Sequence, residues 1–270
     1  MMIIANNITT RNATVSRALW RQKRGIWRPH HEPDKILADL AHHCTAAGAD
    51  VIEINTQQRY DLPEVMEFAV NSVRKATNRR LCLSTNKAET LEAGLQACSS
   101  PPIVNYISLD EERLQKMLPV VASYEAEAVL LLSTAAAPSD ADKMLQHAAV
   151  LIGAANEKGI PNEKLIVDVG LVHITSDIGQ RHLAEAMKFL LALREAFDPP
   201  VRSTCWLNNA STGAPRRLRR HINSALLGML AGAGVSSAFA DVLDRETMRT
   251  VRLIRIFQNQ VIYSDGEIER

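Results

Sequence analysis

Residues 46–55 read AAGADVIEIN, a small-residue helix stop set directly against a β-branched run. Gly48 can take the left-handed cap that closes a helix. The alternating residues 50–55 that follow read as a strand. The same junction returns at residues 231–241, AGAGVSSAFAD. Outward from these two points, short apolar runs alternate along the whole chain with longer segments of helical spacing. Strands are expected at 2–6, 50–55, 80–85, 102–108, 128–133, 165–169, 203–209 and 236–241. Helices are expected around 34–47, 62–77, 87–97, 110–125, 139–158, 179–197, 218–233 and 244–259. Eight strands alternating with eight helices predict a single (β/α)8 TIM barrel spanning residues 1–270 as one domain. An open doubly wound sheet would carry a glycine-rich phosphate loop after its first strand, and residues 5–9, ANNIT, contain no glycine.

Composition narrows the function. The 270 residues are 46% hydrophobic and 23% charged with a net charge of +1, which allows a sizeable core and predicts neither nucleic acid nor a membrane surface as partner. The start, MMIIANNITT, lacks a basic n-region with a long apolar run behind it, so a cytoplasmic protein is expected. Cys44, Cys82, Cys98 and Cys205 are widely spaced with no CxxC, which reads as reduced structural thiols. Residues 11–33 form the one irregular segment and include RQKRGIWRPHH at 21–31. Following the first strand, this segment is expected as a loop over the barrel mouth, either solvated with a packed tryptophan or acting as a lid or docking surface for a negatively charged partner.

In such barrels the chemistry stands at the C-terminal ends of the strands. Those ends deliver, in order, Asn6 and Asn7; Glu53 and Asn55; Ser84, Thr85 and Asn86; Asn105; Ser133 and Thr134; Asp168; Asn208 and Asn209; and Asp241. No histidine ends a strand, and the neighbouring pairs His30-His31 and His42-His43 point in different directions on a helix, so no bound metal is expected. His173 reads as a loop residue. Carboxamides carry both N–H and C=O, and a carboxylate can accept a pair of bonds from an amino-pyrimidinone edge. Amides at several strand ends therefore suit a flat heterocycle with alternating donors and acceptors, and a pterin fits that description.

These residues carry a resemblance. Met2-Ile3-Ile4, Gly48-Ala49-Asp50 through Ile54-Asn55, Leu81-Cys82-Leu83 with Leu91 to Leu95, Val104-Asn105, Gly159-Ile160-Pro161, Ile166-Val167-Asp168, Leu207 to Ser211, Ile222-Asn223 and Ala238 to Asp241 stand in order at the family's spacing. The sequence resembles the methyltetrahydrofolate:corrinoid protein methyltransferases, which share a pterin-binding barrel with dihydropteroate synthase and cobalamin-dependent methionine synthase. The resemblance implies tetrahydrofolate or methyltetrahydrofolate as substrate, cobalamin (a corrinoid) carried by a separate corrinoid-binding protein, and a homodimer. It makes Asn209 the catalytic amide near the folate N5, with Asp168 gripping the amino-pyrimidinone edge and Asn105 contacting the same ring. Thr85, Asn6, Asn55 and Asp241 complete the expected pterin-binding set.

Two positions depart from the family pattern. Where the third strand usually ends Asp-Ser-Thr-Asn, this chain has Leu83-Ser84-Thr85-Asn86, so an ungapped alignment places a leucine at the acid and leaves Thr85, Glu53 or a water to compensate. The first strand ends Ala5-Asn6-Asn7 in place of a Gly-Glu-Arg-like sequence. Two other readings stay open. A dihydropteroate synthase would need a phosphate site, for which Arg216, Arg217, Arg219 and Arg220 are candidates, although their spacing spreads them around a helix. A catalytically idle pterin-binding or docking subunit is the other.

Overall fold

The computed structural model describes residues 1–25, 32–133 and 137–269, with the side chains of Arg21 and Gln22 excepted. The histidine pair at 30–31, the rest of the basic stretch from 26, and Thr134 lie outside the described residues. Eight parallel strands, β1 (Met2–Thr9), β2 (Val51–Asn55), β3 (Arg80–Ser84), β4 (Ile103–Ser108), β5 (Glu127–Leu131), β6 (Leu165–Asp168), β7 (Arg202–Thr204) and β8 (Ser237–Ala240), follow one another around a single sheet. The order is β7-β6-β5-β4-β3-β2-β1-β8. Closure between β7 and β8 is made by a parallel bridge from Trp206 to Phe239 and by Ser203 with Ser236 and Ser237. The chain is a (β/α)8 TIM barrel.

The helical layer comprises α1 (Ala13–Arg24), α2 (Pro33–Ala46), α3 (Pro63–Arg74), α4 (Ala88–Ala97), α5 (Leu118–Ser123), α6 (Ala141–Glu157), α7 (Gly179–Ala196), α8 (Leu207–Ala210), α9 (Arg216–Ala233), α10 (Arg245–Phe257) and α11 (Asp265–Glu269). No helix among the described residues is long and apolar enough to cross a membrane. Gly48 and Gly234 take the left-handed conformation, with φ of 102° and 105°, that the small-residue stops foreshadow.

Period-two alternation sorts every strand but β7 between two apolar layers. One set, including Ile3, Ile52, Leu81, Leu83, Val104, Leu130 and Val167, packs outward against the helices. The other, Ile4, Val51, Cys82, Ile103, Val129, Ile166 and Phe239, meets on the barrel axis, where Trp206 stacks on Phe239 at 4.7 Å and 13°. Two residues further along β1 to β6, the inward positions become Asn6, Glu53, Ser84, Asn105, Leu131 and Asp168. The barrel is thus plugged by a dry layer with a polar layer directly above it.

Three local expectations need correction. Residues 13–24 of the supposed irregular segment form α1: Asn12 Oδ1 accepts the Thr14 and Val15 N–H groups as an N-cap, and Val15, Ala18 and Leu19 are buried at helical spacing. The seventh strand stops at Thr204, and residues 207–210 turn into α8, so Asn208 and Asn209 stand on a helical turn above the strand. Leu83 does not occupy the place of a site acid. It is fully buried in the outer layer, where a Cβ added to Gly94 of α4 would lie 2.9 Å from its Cδ1. The inward neighbour at that level is Ser84.

Candidate functional site

A cavity of about 540 Å³ opens at the C-terminal ends of the strands. Of the expected residues, Asn6, Asn55, Asp168 and Asn209 line it together with Asn208. Asn105 and Thr85 do not reach its wall, and Asp241 stands at the rim. The sequence reading passed over Arg11, Gln57, Gln58, Tyr106 and Trp206, which also line the cavity.

Asp168 is the most committed of these groups. It ends β6 only 2% exposed, and its Oδ1 accepts the Gly170 N–H at 3.0 Å. No cation pairs with it among the described residues. Burial pushes its carboxyl up to about 7, with the Gly170 bond offsetting part of that shift. Such an acid is prepared to accept N–H groups from a ligand.

Asn209 sits on the first turn after β7, held by backbone bonds from its N–H to Trp206 O at 3.0 Å and from Thr212 N–H to its carbonyl at 3.1 Å. Its carboxamide makes no hydrogen bond among the described residues, so both of its ends are open to the cavity. Neighbouring Asn208 is different, because its Oδ1 accepts from Asn223 Nδ2 at 3.1 Å, which anchors the turn to α9.

Beneath the cavity floor lies a closed polar network. Glu53 is fully buried, and its Oε1 accepts from Ser84 Oγ at 2.5 Å and from Asn55 Nδ2 at 3.0 Å. Asn105 Nδ2 in turn donates to Ser84 Oγ at 2.9 Å. Burial raises the Glu53 carboxyl to about 7 against the opposing pull of these hydrogen bonds and of the Arg11 charge. Glu53 Oε2 and Asn105 Oδ1 have no partner among the described residues. Asn55 alone belongs to both levels: it lines the cavity while its amide orients Glu53 and its Oδ1 accepts the Gln57 N–H at 3.2 Å.

Thr85 points to the outer side of the strand, as its parity with Leu83 requires, and donates to Asp61 Oδ1 at 2.5 Å. Asp61 also accepts from Thr56 Oγ1 and the Asn86 N–H, which ties the loop after β2 to the end of β3. At the other rim, Asp241 accepts from Asn7 Nδ2 at 2.5 Å, joining β1 to β8. These two candidates are therefore in structural bonds.

A bulge between Asn105 and Ile107 re-aims Tyr106 toward the cavity. Arg113 clamps it there: its guanidinium lies 4.2 Å from the ring centroid, donates to Tyr106 O at 2.9 Å and reaches Asn86 Oδ1 at 2.5 Å. The arginines of α9 take no part in the cavity wall. Arg219 donates to Ala214 O, and Arg220 pairs with Glu246. Cys44, Cys82 and Cys205 are buried free thiols and Cys98 a half-buried one. His173 bonds Thr175 in the loop after β6 without reaching the cavity wall.

Comparison with known proteins places the fold and the family. Among relatives, the methylcorrinoid:tetrahydrofolate methyltransferase of Eubacterium limosum is 22% identical over 223 residues, covering 81% of this chain and 80% of that protein. A dihydropteroate synthase from Clostridium difficile, solved in the presence of pteroic acid, superposes with a TM-score of 0.68 at 15% identity, over 95% of this chain and 96% of that one. The dihydropteroate synthase of Xanthomonas albilineans with 4-aminobenzoic acid gives 0.67 at 16% identity, over 97% and 94%. Residues 29–238 match the family described as pterin binding enzyme, and the chain belongs to that family.

Proposed function

We propose that the chain is a methyltransferase that moves a methyl group between N5 of tetrahydrofolate and a corrinoid carried on a separate protein. The observation that carries the reading is the pairing, in one cavity, of a buried acid, Asp168, and a carboxamide, Asn209, the first without a cation and the second without a hydrogen bond among the described residues. The relative from Eubacterium limosum supports the same assignment.

Asp168 accepts the N–H donors of the amino-pyrimidinone edge and so fixes the ring in its plane. The ionised form makes the stronger bonds, and each bond a donor edge provides favours that form. Asn209, on the turn after the neighbouring strand, donates its N–H toward N5. Methyl transfer away from N5 breaks the N–C bond and leaves its electron pair on nitrogen, a poor leaving group without assistance. A hydrogen bond that strengthens as this pair develops lowers the barrier without placing a charge beside the reacting methyl. The corrinoid supplies the methyl acceptor in one direction and the methyl donor in the other. Tyr106 and Trp206 offer apolar faces to the flat ring, and Asn6 and Asn55 the remaining polar wall. A corrinoid-binding protein is the partner this chemistry requires, and a homodimer is the assembly the family resemblance implies.

Calorimetric titration with tetrahydrofolate tests the first step. Saturable binding, weakened in Asp168→Asn, is expected, and an absence of binding to the wild-type protein overturns the proposal. A dihydropteroate synthase is disfavoured by the placement of the α9 arginines away from the cavity wall, and product formation from para-aminobenzoate would reinstate it.

A further inference from the structure

A second cavity of about 250 Å³ adjoins the first, and Gln57 and Gln58 are the wall they share. Its lining includes Lys23 from the end of α1, Arg59 from the loop after β2, and Lys87 from the loop after β3, all exposed. None of these three side chains forms a hydrogen bond or ion pair among the described residues. Arg11 stands just inside the first cavity, its Nε and Nη2 donating to the Gln58 carboxamide oxygen at 3.1 and 2.7 Å. The one acid of this lining, Asp61, is engaged by three donors, so it anchors the loop and leaves the cations in excess. In a chain whose net charge is only +1, this is a local concentration of positive charge.

Its place in the barrel is informative. The strand order puts β6 and β2 four positions apart in an eight-stranded ring, on opposite sides of the mouth. A pterin whose donor edge rests on Asp168 of β6 points its far end toward the loop after β2. That loop is tied to the end of β3 by Asp61 and turns through Tyr60, whose φ is 61°. A substituent leaving the far end of the ring crosses Gln57 and Gln58 and enters the basic cavity.

We propose that the cavity lined by Lys23, Arg59 and Lys87 binds the carboxylates of a poly-γ-glutamyl tail, making the protein selective for polyglutamylated over monoglutamylated folate. This rests on the reading of the first cavity as a folate site and adds the substrate form it prefers. Each γ-linked glutamate adds one α-carboxylate along an extended chain, and the three cations, unpaired among the described residues, can each meet one.

The experiment is calorimetric titration of the full chain with tetrahydrofolate carrying one or three γ-linked glutamates, at low and high salt. Exposed cation–carboxylate pairs are individually weak, so a gain of about five- to tenfold for the triglutamate at low salt is expected, shrinking at high salt. In Lys23→Ala/Arg59→Ala/Lys87→Ala the gain disappears while monoglutamate affinity stays within about twofold, since exposed substitutions remote from the pterin leave its contacts intact. The single variants Arg59→Gln and Lys87→Gln, each with part of the loss, cover the case in which the triple variant does not fold. Equal affinity for the two ligands, or a gain that survives in the variants, overturns the inference while leaving the folate site standing. Absence of monoglutamate binding removes the folate reading itself. If the triple variant slows only methyl exchange with the corrinoid protein and the two folates bind equally, the patch is a protein-docking face and the tail proposal falls.

Discussion

Asp168 carries its charge at a cost that a ligand can remove. With its carboxyl raised to about 7, an N–H edge that prefers the ionised form must displace a proton at lower pH. Tetrahydrofolate affinity should therefore rise with pH below about 7, by up to roughly tenfold per unit, and level off above it. Calorimetry across pH 5.5 to 8.5 measures this, and Asp168→Asn should flatten the profile and weaken binding by roughly 10- to 100-fold through loss of charge-assisted bonds. Asn209 is a different kind of residue, half-buried and held only by its backbone. Asn209→Ala should lower methyl exchange with a methylated corrinoid protein by roughly 10²-fold or more while the melting temperature stays nearly unchanged. Loss of folding together with activity would place Asn209 in the structure and not in the chemistry. Asp168 was legible in the sequence as a polar residue terminating an apolar strand, whereas Asn209 was singled out through the family resemblance and stands on a turn beyond its strand. Arg11, Tyr106 and Arg113 were not legible, since Tyr106 reaches the cavity through a bulge and Arg113 acts from a neighbouring turn across seven residues of chain.

At the scale of the element, parity decides which residues can matter. β3 presents Cys82 and Ser84 to the interior and Leu81 and Leu83 to the helices. An acid placed at Leu83 by ungapped alignment would enter the apolar layer between β3 and α4, beside Met66 and Gly94. Leu83→Asp should therefore destabilise the fold by about 3 kcal/mol or more without improving folate affinity, as read by denaturant titration and calorimetry. Tighter folate binding in that variant would show that the strand faces inward at 83. The same packing makes Gly94 necessary: Gly94→Ala puts a Cβ 2.7 Å from Met66 Cγ and should cost about 1–3 kcal/mol. The eight strands were readable because each is a short β-branched run with small or polar residues at its ends. α1 was obscured by its arginines and lysines, although the Asn12 cap and the spacing of Val15, Ala18 and Leu19 mark it. The turn at 207–210 was obscured for the opposite reason, because Cys-Trp-Leu continues the apolar run of β7 beyond Thr204, through the Trp206 bridge and into the turn.

At the scale of the whole molecule, two carboxyls are buried among the described residues, Glu53 and Asp168, each raised to about 7. A folded-state value above the unfolded one means that the native protein binds the additional proton, so the stabilisation is complete below about pH 4 and is lost as pH rises toward 7. For the ligand-free protein, this contribution to stability should fall between pH 5 and 8. Glu53→Gln should reduce the fall, as compared by urea unfolding at the two pH values; an unaltered difference would mean that Glu53 is already ionised at pH 5. One consequence of the dry plug beneath the polar layer is optical. Trp206, stacked on Phe239 and lining the cavity from below, is an indole in the floor of the binding site, while Trp20 lies out on α1 and is 39% exposed. A flat ring resting on that floor would change the surroundings of the indole, so occupancy of the cavity should alter the Trp206 emission and give a direct titration signal, one that Trp206→Phe would remove.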